Sequence, residues 1–255
     1  MPARILGVIP ARYASSRFPG KALATLGSKT LIEHVHERVS MARYLTKVII
    51  ATDDVRIARE ARRFGAIVRM TRGDHPSGTD RVAEAASAEN AEIVVNVQGD
   101  EPLIDPSAID AAILPLVEEP DIVMCTLKKK IEDPREILDS NVVKVVTDRR
   151  GFALYFSRST IPHVRQTGEA GAATQYYKHI GLYVYRRDFL LAYPDLPVGP
   201  LEQAERLEQL RALENGFSIR VAETDCESIG VDTPEDLRRV SELFEASVGG
   251  TKRNG

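Results

Sequence analysis

The chain has 255 residues, 43% of them apolar, and carries 34 Lys and Arg against 37 Asp and Glu, a formal charge of −3. That balance argues against nucleic acid as a partner, since phosphate-backbone binders carry a basic excess, but it leaves room for a small anion that needs only a local basic cluster. No apolar run approaches the ~18 residues of a membrane helix, no signal peptide is evident, and Cys125 and Cys226 stand far apart outside any C-x-x-C pair, so a reduced, cytoplasmic protein is expected.

Apolar runs of strand length alternate with segments of helical period. Strands are expected at Arg4–Ile9, Lys47–Ala51, Ala66–Met70, Glu92–Val97 and Asp121–Leu127, and helices at Thr30–Arg43, Asp54–Phe64, Thr79–Asn90 and Pro106–Glu118. Near-continuous Val/Ile runs suit strands buried on both faces of a parallel sheet. The alternation therefore predicts an α/β fold with a doubly wound, mostly parallel sheet. After Lys128 the rhythm changes. Val142–Val146 and Phe152–Phe156 read as antiparallel neighbours, and Ser157–Gln175, rich in small residues, as a mobile loop or arm. Alternation resumes with a strand at His179–Tyr185, a helix at Pro200–Glu214, a strand at Ser218–Ala222 and a helix at Pro234–Ala246. We expect one domain over 1–246, with 128–178 as a small antiparallel inserted arm and 247–255 as a flexible tail.

Ligands of such sheets collect beyond the carboxyl ends of the strands, where three segments draw attention. The loop Pro10–Lys21 ends in Gly20-Lys21, yet Ser15 stands where a Walker A loop needs its first glycine and Ala22 where it needs Ser or Thr. The later Gly27–Thr30 fails the same spacing, and the G-x-G-x-x-G fingerprint is absent. Arg12 and Lys21 remain as cations able to bracket a polyphosphate; a solvated basic loop is the alternative. "VQGDEP" (Val97–Pro102) sets Asp100 at a strand end, either as a hard oxygen ligand for Mg²⁺ or as part of a plain turn. "GVDTPEDL" (Gly230–Leu237) supplies Asp232, a second such ligand or a helix N-cap. A fourth stretch, "TRGDHPSGTDR" (Thr71–Arg81), can offer hydrogen bonds to a base edge or be surface loop.

Further on, His179, Gly181 and Tyr183 share one face of a strand by period two, making a polar ledge. Glu208 and Gln209 lie on the Pro200–Glu214 helix, whose leucines form its core stripe. His34 and His36 have no partner ligands at metal spacing and read as structural.

Taken together, "IPARYASSRFPGKAL", "VIIATDD", "DHPSGTDRVAEA", "VNVQGDEPLI", "KHIGLYVYRRDFL", "LEQAERLEQLRALENG" and "GVDTPEDL" resemble the 3-deoxy-manno-octulosonate (Kdo) cytidylyltransferases, over about Ile5 to Leu243. The resemblance implies a nucleotidyltransferase with a nucleotide-diphospho-sugar transferase type of sheet. The anomeric hydroxyl of Kdo would attack the α-phosphorus of CTP, giving CMP-Kdo and pyrophosphate with Mg²⁺ as cofactor and activating Kdo for lipopolysaccharide synthesis. It implies that Ala11, Arg12, Lys21, Arg72, Ser77, Gly78 and Gln98 bind the nucleotide. Asp100 and Asp232 would hold the metal and, with Lys21, carry catalysis. The sugar would meet Arg158, His179, Tyr183, Glu208 and Gln209. The arm is expected to serve a homodimer interface and closure over the sugar. Two departures touch sugar preference: Thr160 stands where the family pattern has proline, and "CESIGVD" replaces a Pro-Gly lead-in. A cytidylyltransferase for another acid sugar, such as sialic acid, and a non-catalytic nucleotide sensor are the competing readings.

Overall fold

A computed structural model describes residues 3–14, 17–165, 174–227 and 229–251. In chain order its strands are β1 (Ile5–Ala11), β2 (Thr25–Leu26), β3 (Lys29–Thr30), β4 (Lys47–Thr52), β5 (Ile67–Met70), β6 (Ile93–Asn96), β7 (Met124–Lys130), β8 (Lys144–Thr147), β9 (Ala153–Ser157), β10 (Tyr177–Arg186) and β11 (Arg220–Glu223). The helices are α1 (Leu31–Ser40), α2 (Val55–Arg63), α3 (Gly78–Ser87), α4 (Pro106–Glu118), α5 (Pro134–Leu138), α6 (Arg187–Ala192), α7 (Pro200–Glu205), α8 (Leu210–Glu214) and α9 (Pro234–Thr251).

One sheet runs in the order β11-β7-β10-β6-β1-β4-β5, with the β8–β9 hairpin joined to it at β10. β6, β1, β4 and β5 pair in parallel, and β11 is parallel to β7. β10 alone enters this row antiparallel, between β6 and β7. The expected mostly parallel, doubly wound sheet is thus observed. Alternate residues of the central strands feed two apolar layers. Ile5, Ile9, Ile50, Ile93 and Val95 pack with α1, α2 and α4 on one side. Leu6, Val8, Ile49 and Val94 pack with α3, α6 and α8 on the other. A two-sided core is why these strands read as unbroken Val/Ile runs.

Four local features differ from the sequence expectation. The single helix over Pro200–Glu214 is broken: Arg206 adopts φ 54°, ψ 45°, left-handed, between α7 and α8. The leucine spacing continues through this break, so periodicity could not reveal it. Glu205 accounts for the interruption, its carboxylate accepting from Ser157 Oγ (2.6 Å) and the Arg158 amide (2.9 Å), which ties the end of α7 to β9. Second, α5, α6 and the small β2–β3 sheet arise from segments too short for a periodic signal. Third, β10 is bulged: its register against β7 slips between Ile180 and Tyr183, leaving Gly181 and Leu182 unpaired there. Fourth, α9 continues to Thr251, so the tail expected from Ser247 is helical to that point, while 252–255 lie outside the described residues. Part of the expected arm, 166–173, also lies outside them. No helix among the described residues is long and apolar enough to cross a membrane.

Candidate active site

Two glycines and one small apolar cluster assemble the site. A Cβ on Gly99 would come 2.7 Å from Pro10 O, so only glycine lets the turn after β6 close against the end of β1. Gly20, at φ +71°, lies over the Tyr13 ring, where a Cβ would meet Cε2 at 2.9 Å; its amide donates to Tyr13 O (2.8 Å), closing the loop that carries Lys21. Leu26, Leu31, Val231 and Val240 form a satellite core with Phe18, Leu103, Leu237 and Phe244 packed on it. The Val231 amide donates to Asp100 O (2.9 Å). Together these fasten the start of α9 beside the Lys21 loop.

Asp232 is not the N-cap of α9. Thr233 takes that position in a reciprocal capping box: Asp236 N donates to Thr233 Oγ1 (3.2 Å), and Asp236 Oδ2 accepts from the Thr233 amide (2.9 Å). Asp232 is thereby free to face the loop. Lys21 Nζ donates to Asp232 Oδ1 (2.9 Å) and to Asp100 Oδ2, and Arg17 Nη2 donates to Asp232 Oδ2 (2.8 Å). Burial pushes the Lys21 ammonium towards its neutral form, but the attraction of Asp100 and Asp232 wins and holds its pKa above the usual lysine value. Lys21, Asp100 and Asp232, drawn from three distant segments, converge on one spot.

They line a cavity of about 400 Å³ together with Ala11, Arg12, Arg17, Ser77, Gly78, Arg81, Gln98 and Glu208. Ser77 caps α3, accepting from the Asp80 amide (3.2 Å) and donating to Asp80 Oδ2 (2.6 Å). Arg81 is buried and paired with Asp53 Oδ1 at 2.9 Å. His75 also lines this cavity, its Nε2 against Glu84 Oε2. Arg72 does not: its side chain is exposed, its nearest acidic partners being Asp74 (3.6 Å) and Glu84 (3.9 Å). Its amide donates to Glu84, and Arg72, expected at the nucleotide, is not among the residues lining this cavity.

A second cavity, about 550 Å³, adjoins the first. Gly78, Gln98, Glu208 and Asp232 line both. Here Arg158, Tyr183 and Gln209 appear, with Asn96, Thr79, Tyr185, Tyr193 and Arg206. The break at Arg206 puts Glu208 and Gln209 on an irregular turn rather than a helix face, a correction to the expected helix. Glu208 is half-buried; burial raises its pKa, against a hydrogen bond with Thr79 that lowers it. Arg158 is anchored by Nε to Glu205 O (2.7 Å) and Nη1 to Ser140 O (3.1 Å).

His179 sits at the margin of this arrangement, lining a neighbouring hollow that meets the second cavity at Gly181. Its ring lies between Phe156 (5.1 Å) and Tyr183 (5.4 Å). Burial drives its pKa down to about 3, so the ring is neutral. Thr126 Oγ1 lies 2.8 Å from His179 Nε2 and within 3.1 Å and 2.8 Å of the Ile180 and Leu182 carbonyls. A hydroxyl has one proton, which satisfies a carbonyl only if His179 Nε2–H is the donor to Thr126. That chain stitches the β10 bulge.

Sequence reasoning missed Asn96, Arg81, Tyr185 and Tyr193. Asn96 carried a signal, the one polar residue inside "IVVNV"; Arg81 was masked by its helix, and the tyrosines by a fold partner far away in sequence.

A cation-rich cavity at the carboxyl ends of β1 and β6, beside one richer in aromatic rings and amides, defines a nucleotide-handling α/β protein with room for a second substrate. Comparison with known proteins refines this. The pattern described as Cytidylyltransferase matches residues 6–225. The 3-deoxy-manno-octulosonate cytidylyltransferase of Solibacter usitatus is 69% identical over 248 residues, 97% of each chain, and that of Syntrophotalea carbinolica is 58% identical over 92% of this chain and 96% of its own. A solved structure of CMP:2-keto-3-deoxy-manno-octonic acid synthetase complexed with CTP superposes with TM-score 0.91 at 42% identity, over 96% of this chain and 100% of the other. A cytidylyltransferase from Leptospira borgpetersenii, at 19% identity and TM-score 0.62 over 96% of this chain and 87% of its own, shares the fold. The chain belongs to the 3-deoxy-manno-octulosonate cytidylyltransferase family.

Proposed function

We propose that the chain transfers CMP from CTP to the anomeric hydroxyl of Kdo, releasing pyrophosphate. The observation that carries this reading is the Lys21–Asp100–Asp232 cluster at the junction of two cavities with common walls. A triphosphate is anionic and suits the cavity that gathers Arg12, Arg17, Lys21 and Arg81. A carboxylated sugar suits the other, where Arg158 offers a cation and Gln209 and Tyr183 offer polar groups.

Reaction forms a bond from the sugar oxygen to the α-phosphorus and breaks the bond to the β-phosphate oxygen, while the hydroxyl proton leaves. This chain's contribution is alignment of the two reactants across a shared wall and cationic stabilisation of charge on the departing pyrophosphate by Lys21 and its neighbours. Among the described residues no serine or cysteine in these cavities is set as a nucleophile, and direct displacement is the reading.

Asp100 and Asp232 are carboxylate donors close enough to share one ammonium, the hard oxygens that Mg²⁺ prefers. Among the described residues no third acidic or imidazole group joins them, which leaves the other positions to water and phosphate oxygens, as is usual for this ion. They would hold Mg²⁺, whose chemistry there is neutralisation of phosphate charge. The exposed Leu138 and Leu154 (82% and 63%) on the arm support a homodimer built through it, and use of CTP supports a cytoplasmic setting.

The test is pyrophosphate release with CTP against a panel of 2-keto-3-deoxy sugar acids, with and without chelator. Release that requires Kdo and is abolished by chelation and restored by Mg²⁺ is expected. Release with sialic acid in place of Kdo, or tight CTP binding without any release, contradicts the proposal.

A further inference from the structure

Asn96 is the last residue of β6 and 1% exposed. On its strand Val94, Asn96 and Gln98 follow by period two. Val94 packs into the core layer, whereas Asn96 and Gln98 reach the second cavity. Its partners across the ladders are Val8 and Tyr183, so Asn96 and Tyr183 stand on one face. An amide in a strand otherwise made of Ile and Val interrupts the core, and among the described residues its oxygen finds no partner: Asn96 Oδ1 is buried with no hydrogen-bond donor. The same cavity holds one more such atom. Gln209 is 4% exposed, and its Nε2 is buried with no acceptor.

Buried polar groups are normally satisfied within the fold, and unpaired ones are costly. An orphan acceptor and an orphan donor lining one cavity want an occupant that both gives and takes a hydrogen bond. A hydroxyl does this with a single oxygen; a carboxylate, acceptor only, serves Gln209 but not Asn96. The geometry points to Asn96 as a specificity residue, whose side-chain oxygen accepts from a secondary hydroxyl of the sugar while Gln209 donates to the sugar's oxygens. This rests on the second cavity being the sugar site. Arg158 accounts for the acid group, and Asn96 then reads the hydroxyl pattern, because a sugar lacking that hydroxyl leaves Asn96 Oδ1 buried and unpaired.

The experiment compares the wild type with Asn96→Val, which restores the apolar strand pattern, by ligand-free melting and by kinetics with Kdo and its singly deoxygenated analogues. Without substrate the variant melts about 2–4 °C higher, since an unpaired buried amide has gone. With CTP it shows a sugar kcat/KM lowered about 10- to 100-fold and an unchanged KM for CTP. It also loses the wild-type preference for Kdo over one deoxy analogue. Asn96→Asp, which keeps an acceptor, retains that preference. A variant that melts lower, or that discriminates among the analogues as the wild type does, overturns the assignment. If the wild type turns over another acid sugar and not Kdo, the functional proposal falls, while the Asn96 comparison is made on deoxy forms of that sugar with the same two outcomes.

Discussion

The two adjoining cavities are built on opposite physical plans. In the first, charge is gathered and internally balanced: Lys21 sits between Asp100 and Asp232, Arg17 reaches Asp232, and Arg81 is held by Asp53. In the second, rings and amides dominate. Tyr183 stacks towards Tyr185 at 6.1 Å, Tyr185 meets Tyr193 at 6.1 Å, and Asn96 and Gln209 each keep an unpaired atom. A polyanion is held by charge, which tolerates small shifts of position. A polyol is distinguished by hydrogen bonds whose absence is penalised, which demands a stiff wall. The contrast predicts that damage to one cavity is read in a different kinetic constant from damage to the other.

The largest effect is expected at Asp100. Asp100→Asn removes one of the two carboxylates around Lys21 and one expected oxygen ligand, and should lower kcat for pyrophosphate release by about 10²- to 10³-fold. Steady-state assay at saturating sugar checks this, and a variant within tenfold of the wild type would erase the difference between the cavities.

A smaller effect, on stability alone, sharpens the view of the second cavity's rigid flank. His179 is neutral in the fold, with a pKa lowered by burial to about 3, against about 6.5 unfolded. Between those values the unfolded chain binds the extra proton, so stability rises with pH across this window and is lost as pH falls from about 6.5 towards 3. His179→Gln should flatten that acid limb by up to about 1.4 kcal/mol per pH unit relative to the wild type. Denaturant melts across the window measure it, and parallel curves for the two proteins would contradict the burial argument.

The same contrast governs what the sequence discloses. The polar loops after β1 and β6 and the turn before α9 are contiguous motifs, so Lys21, Asp100 and Asp232 could be picked out as chemistry-bearing residues one segment at a time. Their convergence required the fold, which follows from strand–helix alternation. Gly99 and Gly20 were visible as residues, though not the close approach and the left-handed turn that require them. The second cavity comes from β6, β10 and the turn after α7, and each is locally deceptive. The leucines of Pro200–Glu214 keep helical spacing through Arg206, where ties from Glu205 to Ser157 and Arg158 override it. The β10 bulge depends on Thr126, more than 50 residues away. Arg72 shows another limit: its motif marks it as a cation near the site, whereas the fold sets its exposed side chain beside Asp74 and Glu84, outside the lining of the first cavity.

The division of labour itself is tested most directly by calorimetric titration of CTP into Lys21→Met and Tyr183→Phe, both compared with the wild type. The account predicts that CTP binding weakens by tenfold or more, on the order of 1.4 kcal/mol, in Lys21→Met and stays at the wild-type level in Tyr183→Phe. Equal weakening in the two variants, or full affinity without the Lys21 ammonium, would contradict it.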